Sequence, residues 1–180
     1  VTNDKAGSGA SAGWVATAIA VPVALVAGFV AFQILKPFER TNSTEPVKVD
    51  AAALAPEEAP LCAAVVAKLP ETVRGLNRRP VVNGPEQNAA YGEPPLTVTC
   101  GGQTPAFPPQ DLVYNVNGIC WHADEGGKHW TTVDRRVAVK ISLPEDLDGD
   151  GSAQLAGVFS AAVGQAIPPL DKIPTGCKPG

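Results

Sequence analysis

The sequence contains no methionine, and it has only two histidines in 180 residues. Val1 is therefore expected to follow a removed initiator or to replace it. No basic block or basic face stands out: Lys and Arg number 14 against 18 acids, for a net charge of −4 and a pI of about 5.1. That balance argues against nucleic acid as a partner. Catalytic patterns are also missing. There is no G-x-S-x-G elbow, "GGKH" at 126–129 lacks the upstream glycine of a phosphate loop, and neither histidine has an evident Ser or Cys nucleophile beside it. The chain is not expected to be an enzyme.

Among the residues present, glycine and proline are prominent, at 18 each. They predict a loop-rich domain without reaching the level of a disordered chain. The length allows one ordinary domain and an appendage. The appendage is "WVATAIAVPVALVAGFVAFQIL", Trp14 to Leu35, 22 residues without a charge. As a helix it would be about 33 Å long, enough to cross a hydrocarbon core, with Trp14 and Lys36 as interfacial anchors. A cleaved signal peptide would have a shorter apolar core and a basic start, so an uncleaved signal anchor in the lipid bilayer is the expectation.

Orientation rests on two opposed signals. Lys5 precedes the run and Lys36, Arg40 and Lys48 follow it, which alone would place the C-terminal part in the cytoplasm. Yet Cys62, Cys100, Cys120 and Cys177 all follow the run, and an even cysteine set in a small loop-rich domain suits an oxidising compartment. The cysteine chemistry is the more direct constraint. It puts residues 1–13 in the cytoplasm and the C-terminal domain outside. Within the run, Ala16, Ala20, Ala24 and Gly28 recur every fourth residue and form a small-residue stripe suited to close packing against another helix. Pro22 predicts a bend.

Residues 36–59 read as a Pro- and Ala-rich linker, and 60–180 as the extracytoplasmic domain. "PLCAAVVAKLP" predicts a short helix opened by Pro60 and closed by Pro70. "PLTVTC" predicts a strand at 95–100. "DLVYNVNGICWHA" is extended, with Asn117-Gly118 as a turn or bulge. Val137, Val139, Ile141 and Leu143 alternate with Ala138, Lys140 and Ser142, as in a half-buried strand. Leu155, Val158, Phe159, Ala162, Val163, Ala166 and Ile167 trace one helical face, with Ser152 as the expected cap. The order predicts an α+β domain, an antiparallel sheet with two helices against one face.

Two stretches carry candidate metal chemistry. "GICWHADEGGKHW" at 118–130 holds Cys120, His122 and His129, donors that suit zinc or copper, although C-x-H-x6-H matches no strong signature. A disulfided Cys120 would leave only His122 and His129, too few for a closed site unless Asp124 or Glu125 joins, so a disulfide-tied hairpin is the favoured reading. "DLDGDGSAQLAG" at 146–157 places Asp146, Asp148 and Asp150 at positions 1, 3 and 5 of an EF-hand-like calcium loop, with Gly151 at the turn. Gly157 stands where the bidentate Glu belongs; the alternative is an acidic turn facing a helix N-terminus. Arg78-Arg79 and Arg135-Arg136 could bind anions or pair with nearby acids. Asn42-Ser43-Thr44 is a glycosylation sequon. Four cysteines allow three connectivities.

Several stretches resemble one family: "CAAVVAKLPETVRGLNRRP", "AAYGEPPLTVTCGG", "NGICWH", "WTTVDRRVAVKISLPED" and the last helix ending "AIPPL". Over about residues 60–170 they are similar to an actinobacterial family of small secreted or membrane-anchored proteins, known as a domain of unknown function. The resemblance implies that Cys62 pairs with Cys100, which leaves Cys120 with Cys177. It implies a domain held at the outer face of the cytoplasmic membrane and supplies no reaction. Small anchored proteins of this kind are associated with the actinobacterial supercomplex of cytochrome bc and cytochrome oxidase. The expectation is a non-catalytic accessory subunit, with haem and copper only in partner subunits. A copper-handling factor using His122 and His129, or a free-standing tethered envelope protein, are the alternatives.

Overall fold

The computed structural model describes residues 43–104, 106–108, 111–145, 147, 151–172 and 177. The apolar run, with Ala16, Ala20, Ala24 and Gly28, lies outside the described residues, as do Asn42 and the acidic-loop residues Asp146, Asp148 and Asp150. Among the described residues no helix is long and apolar enough to cross a membrane.

Among the described residues two helices and eight strands follow in order: α1 (Ala59–Lys68), β1 (Thr72–Val73), β2 (Leu76–Arg79), β3 (Asn88–Tyr91), β4 (Leu96–Cys100), β5 (Val113–Val116), β6 (Ile119–Ala123), β7 (His129–Thr132), β8 (Val139–Ser142) and α2 (Ser152–Ala166). The strands form one antiparallel sheet in the order β1-β2-β3-β4-β8-β7-β6-β5. It consists of two four-stranded meanders whose last strands, β4 and β8, pair in the middle, with Val98 opposite Ile141. The fold is α+β, as the element order predicts.

Alternation decides the two faces. Leu96, Val98 and Cys100 of β4, Val139 and Ile141 of β8, Trp130 of β7 and Ile119 and Trp121 of β6 all enter one core with both helices. Helix α1 contributes Cys62, Val65 and Val66, and α2 contributes Leu155, Phe159 and Val163. Burial of side chains this large stabilises by roughly 1.5–3 kcal/mol each. Polar groups on this inner face are matched: Trp121 Nε1 donates to Ser160 Oγ at 3.1 Å, and Tyr91 Oη donates to Pro70 O at 2.8 Å. Burial pushes the Tyr91 phenol up to about 12, against the Coulombic pull of Arg78. The Cys62–Cys100 disulfide ties α1 to β4 inside this core.

The β5–β6 hairpin turns at Asn117-Gly118, with φ of 52° and 78°, between the paired Val116 and Ile119. Two successive left-handed residues define the hairpin turn that matches strand twist. Helix α2 starts one residue earlier than the cap expectation. Gly151, in a left-handed conformation, is the N-cap, and Ser152 is the first helical residue without a side-chain cap bond. Val158, expected on the buried face, is 41% exposed.

The segment expected to be a linker, 36–59, is packed onto the sheet over its described part, so the compact unit begins ahead of residue 60. Val47 bridges Val81 in parallel, and Val47 and Val49 bury themselves against Ala90 on the outer face of β3. Arg79, 6% exposed, donates from Nε and Nη2 to Glu45 O at 2.9 and 2.8 Å, and from Nη1 to Gly92 O at 2.7 Å and to the Glu93 carboxylate. Asn88 Nδ2 and Gln87 Nε2 hold the carbonyls of Asp50 and Ala52. Leu54 then presses on Gly101, where an added Cβ would lie 2.1 Å from Leu54 Cδ2. Residues 43–55 are thus a clamped strap. The short "VKV" alternation carries it, hidden among Pro and Ala.

Candidate functional site

The outer face of the sheet is covered at two places. The strap covers β3. Over β6, Cys120 and Val133 pack with Cys177, and Phe107 and Val113 lie against them. The second disulfide, Cys120–Cys177, with Cα atoms 5.9 Å apart, fixes Cys177 there. Between these coverings a groove of about 690 Å³ runs over β4, β8, β7 and β6. Lys48, Asp50 and Ala52 of the strap form one wall, and Gly101 to Gln103 close one end. Its size is that of a small-molecule site.

Strand register builds the floor. Thr99, Lys140, Thr131 and His122 follow one another across β4, β8, β7 and β6 in one row, and Thr97, Ser142 and His129 in the next. His122, 9% exposed, is held by Asp111, Nε2 to Oδ2 at 2.9 Å, and stacks on Phe107 with ring centres 4.4 Å apart. His129 Nδ1 lies 3.0 Å from Ser142 Oγ. Asp124 Oδ1 accepts the backbone N–H of His129 at 3.1 Å, not its ring. Among the described residues no carboxylate bonds the second ring nitrogen, so this Ser-His pair falls short of a triad.

The two histidines do stand on one hairpin and one groove, but they are not opposite each other: His122 pairs with Thr131, and His129 with Ser142. Each ring is held by a different partner, and among the described residues neither belongs to a three-ligand group. The group that does form is Cys120, Cys177 and Asp134, with ligand atoms within 4.8 Å of one another. Both of its sulfurs are joined in the disulfide, which leaves one carboxylate and no thiolate to offer a metal. Burial pushes the Asp134 carboxyl upward, against the Arg135 guanidinium at 3.2 Å and hydrogen bonds from the backbone at Cys120 and Asp134.

The double arginines are paired with acids rather than free: Arg78 with Glu71, Arg79 with Glu93, Arg135 with Asp134 and Arg136 with Asp171. The groove lysines and hydroxyls were not candidates in the sequence. Their signal is the outward phase of the β4 and β8 alternation, which acquires meaning only once β4 and β8 are known to be neighbours.

Residues 19–171 match the family described as "Protein of unknown function (DUF3515)", and the chain belongs to it. The match extends further toward the N-terminus than the resemblance over about 60–170 and takes in part of the apolar run. The double-Arg and G-E-P-P stretches that carry the resemblance meet in the Arg79 clamp, so their role here is to fix the strap. No curated protein and no solved structure matches the chain.

Proposed function

We propose that this protein is a non-catalytic accessory subunit of a membrane protein complex, anchored by the apolar run 14–35 with its domain on the outer side. The observation that carries the reading is the strap. Only nine residues, 36–44, separate the end of the apolar run from Glu45, whose carbonyl Arg79 holds. A free-standing tethered binder gains reach from a long flexible linker. A short connection into a clamped strap instead suits a domain held close to a membrane neighbour. Two disulfides support placement in an oxidising compartment.

The partner to test first is the actinobacterial cytochrome bc–cytochrome oxidase supercomplex, for which the support is the family resemblance of the sequence. The test is a pull-down of tagged full-length protein in mild detergent, with mass spectrometry and a reduced-minus-oxidised haem spectrum. Haem absorbance with both sets of subunits in fixed ratio is expected; a colourless preparation without them overturns the assignment. Replacing Ala20 and Ala24 by Leu should reduce recovery if the small-residue stripe packs on a partner helix. A second reading, copper handling for the oxidase, is favoured by one observation: both histidines line the same groove. Normal oxidase copper in a His122→Ala, His129→Ala strain would remove it.

A further inference from the structure

The lysines and arginines of the domain divide into two groups. Arg78, Arg79, Lys128, Arg135 and Arg136 pair with acids, while Lys68 and Arg74 bond to Gln165 and to the Gly151 carbonyl. Among the described residues, Lys48, Lys140 and Lys172 have neither an ion pair nor a side-chain hydrogen bond. Two of these three line the groove. Lys140 stands on β8 in the middle of the sheet, directly between Thr99 and Thr131 on the neighbouring strands. Thr131 is only 6% exposed, yet it lines the groove, and its hydroxyl has no hydrogen-bond partner among the described residues. The acids of the lining are Asp50 and Asp124; neither comes within ion-pair distance of Lys140, and Asp124 already accepts a backbone N–H.

We propose that this groove is a binding site for a small soluble molecule bearing an anionic oxygen group, phosphate or carboxylate, received by Lys140 together with the Thr131 hydroxyl. The solvent-exposed Lys140 ammonium beside the Thr131 hydroxyl offers charge-assisted hydrogen bonds to such a group, with no carboxylate of the described residues in ion-pair contact with it. Lys48 on the strap gives a second cation at the wall. A lipid surface is the poorer source of the anion. Among the described residues, none of the large exposed apolar side chains, Val82, Leu112, Tyr114, Val158 and Leu170, belongs to the lining, so the lining offers no large exposed apolar group to a bilayer. The inference does not depend on the accessory-subunit reading.

The test is a titration of inorganic phosphate with the full chain in a maltoside detergent, read by broadening of the phosphorus resonance, a method suited to weak binding. The wild type should broaden the signal saturably. Lys140→Ala and Lys140→Gln should lower the association constant about tenfold or more, as expected for loss of a hydrogen bond to a charged group. Lys172→Ala, which removes an unpaired lysine outside the groove, should leave it unchanged. Circular dichroism of each variant checks the fold. Absence of saturable broadening in the wild type, or equal binding by the Lys140 variants and wild type, overturns the proposal.

Discussion

The two faces of the sheet are built from the same strands by alternation, yet they are finished differently. On the inner face Trp121, Tyr91, Phe159, Ile141 and Val139 are wholly enclosed by two helices, and each buried polar tip has a partner. On the outer face the strap and the cluster around the Cys120–Cys177 disulfide lie at the margins, and the centre carries Lys140, Thr131, His129 and Ser142 around a groove. The lesson is a division of labour: the inner face carries the buried apolar bulk, and the outer face carries polar and charged side chains at its centre.

The largest effect should come from the inner face. Trp121→Ala should cost about 3–5 kcal/mol in urea unfolding, from lost burial and the cavity left behind. Replacing Cys62 and Cys100 by Ser should cost about 2–4 kcal/mol, because the cross-link closes a separation of 38 residues; unfolding followed with and without reductant checks it. Arg79→Met should cost about 1–3 kcal/mol, since the carbonyls of Glu45 and Gly92 lose their donor. Limited proteolysis should then cut first within 43–55.

Smaller effects belong to the outer face. Burial raises the Asp134 carboxyl above its ordinary 3.8, so the folded chain holds that proton more tightly than the unfolded one. Its stabilising contribution is complete below 3.8 and is lost as the pH rises through the raised folded value. Asp134→Asn should flatten this fall in a series of unfolding curves; an unchanged slope would remove the carboxyl as its source. Smallest of all, Lys140→Ala should change stability by no more than about 0.5 kcal/mol. A cost comparable to that of Trp121→Ala would mean that the two faces do not differ as described.

Legibility of the sequence followed the length of each periodic signal. The β8 alternation from Val137 to Leu143 and the stripe from Leu155 to Ile167 are long enough to read, and both elements are present. Strand β3 was not readable. Its Asn88, Ala89, Ala90 and Tyr91 are buried on both faces, one against the core and the other beneath the strap, so no alternation marks it. The strap was missed because Val47 and Val49 give a period-two signal only three residues long. The hairpin at Asn117-Gly118 was legible from the turn chemistry, and the disulfide pairing followed the family resemblance. The groove was not legible, since Thr99, Thr131 and Lys140 become neighbours only through pairings between β4, β8 and β7.

The clamped strap also has a mechanical consequence. Tension drawn along the chain from its N-terminal side would reach the domain at Glu45, where two Arg79 bonds meet it, and next at Val47, which both donates to Pro80 O and accepts from Val82 N. These bonds lie within three residues, and the Val47–Val81 contact runs parallel, so a pull along the strap shears them as a group rather than opening them in succession. If they gave way, extension would stop at Cys62, which is covalently joined to β4 in the centre of the sheet. The strap would thus resist a pull at its own N-terminal end, with a covalent stop behind it.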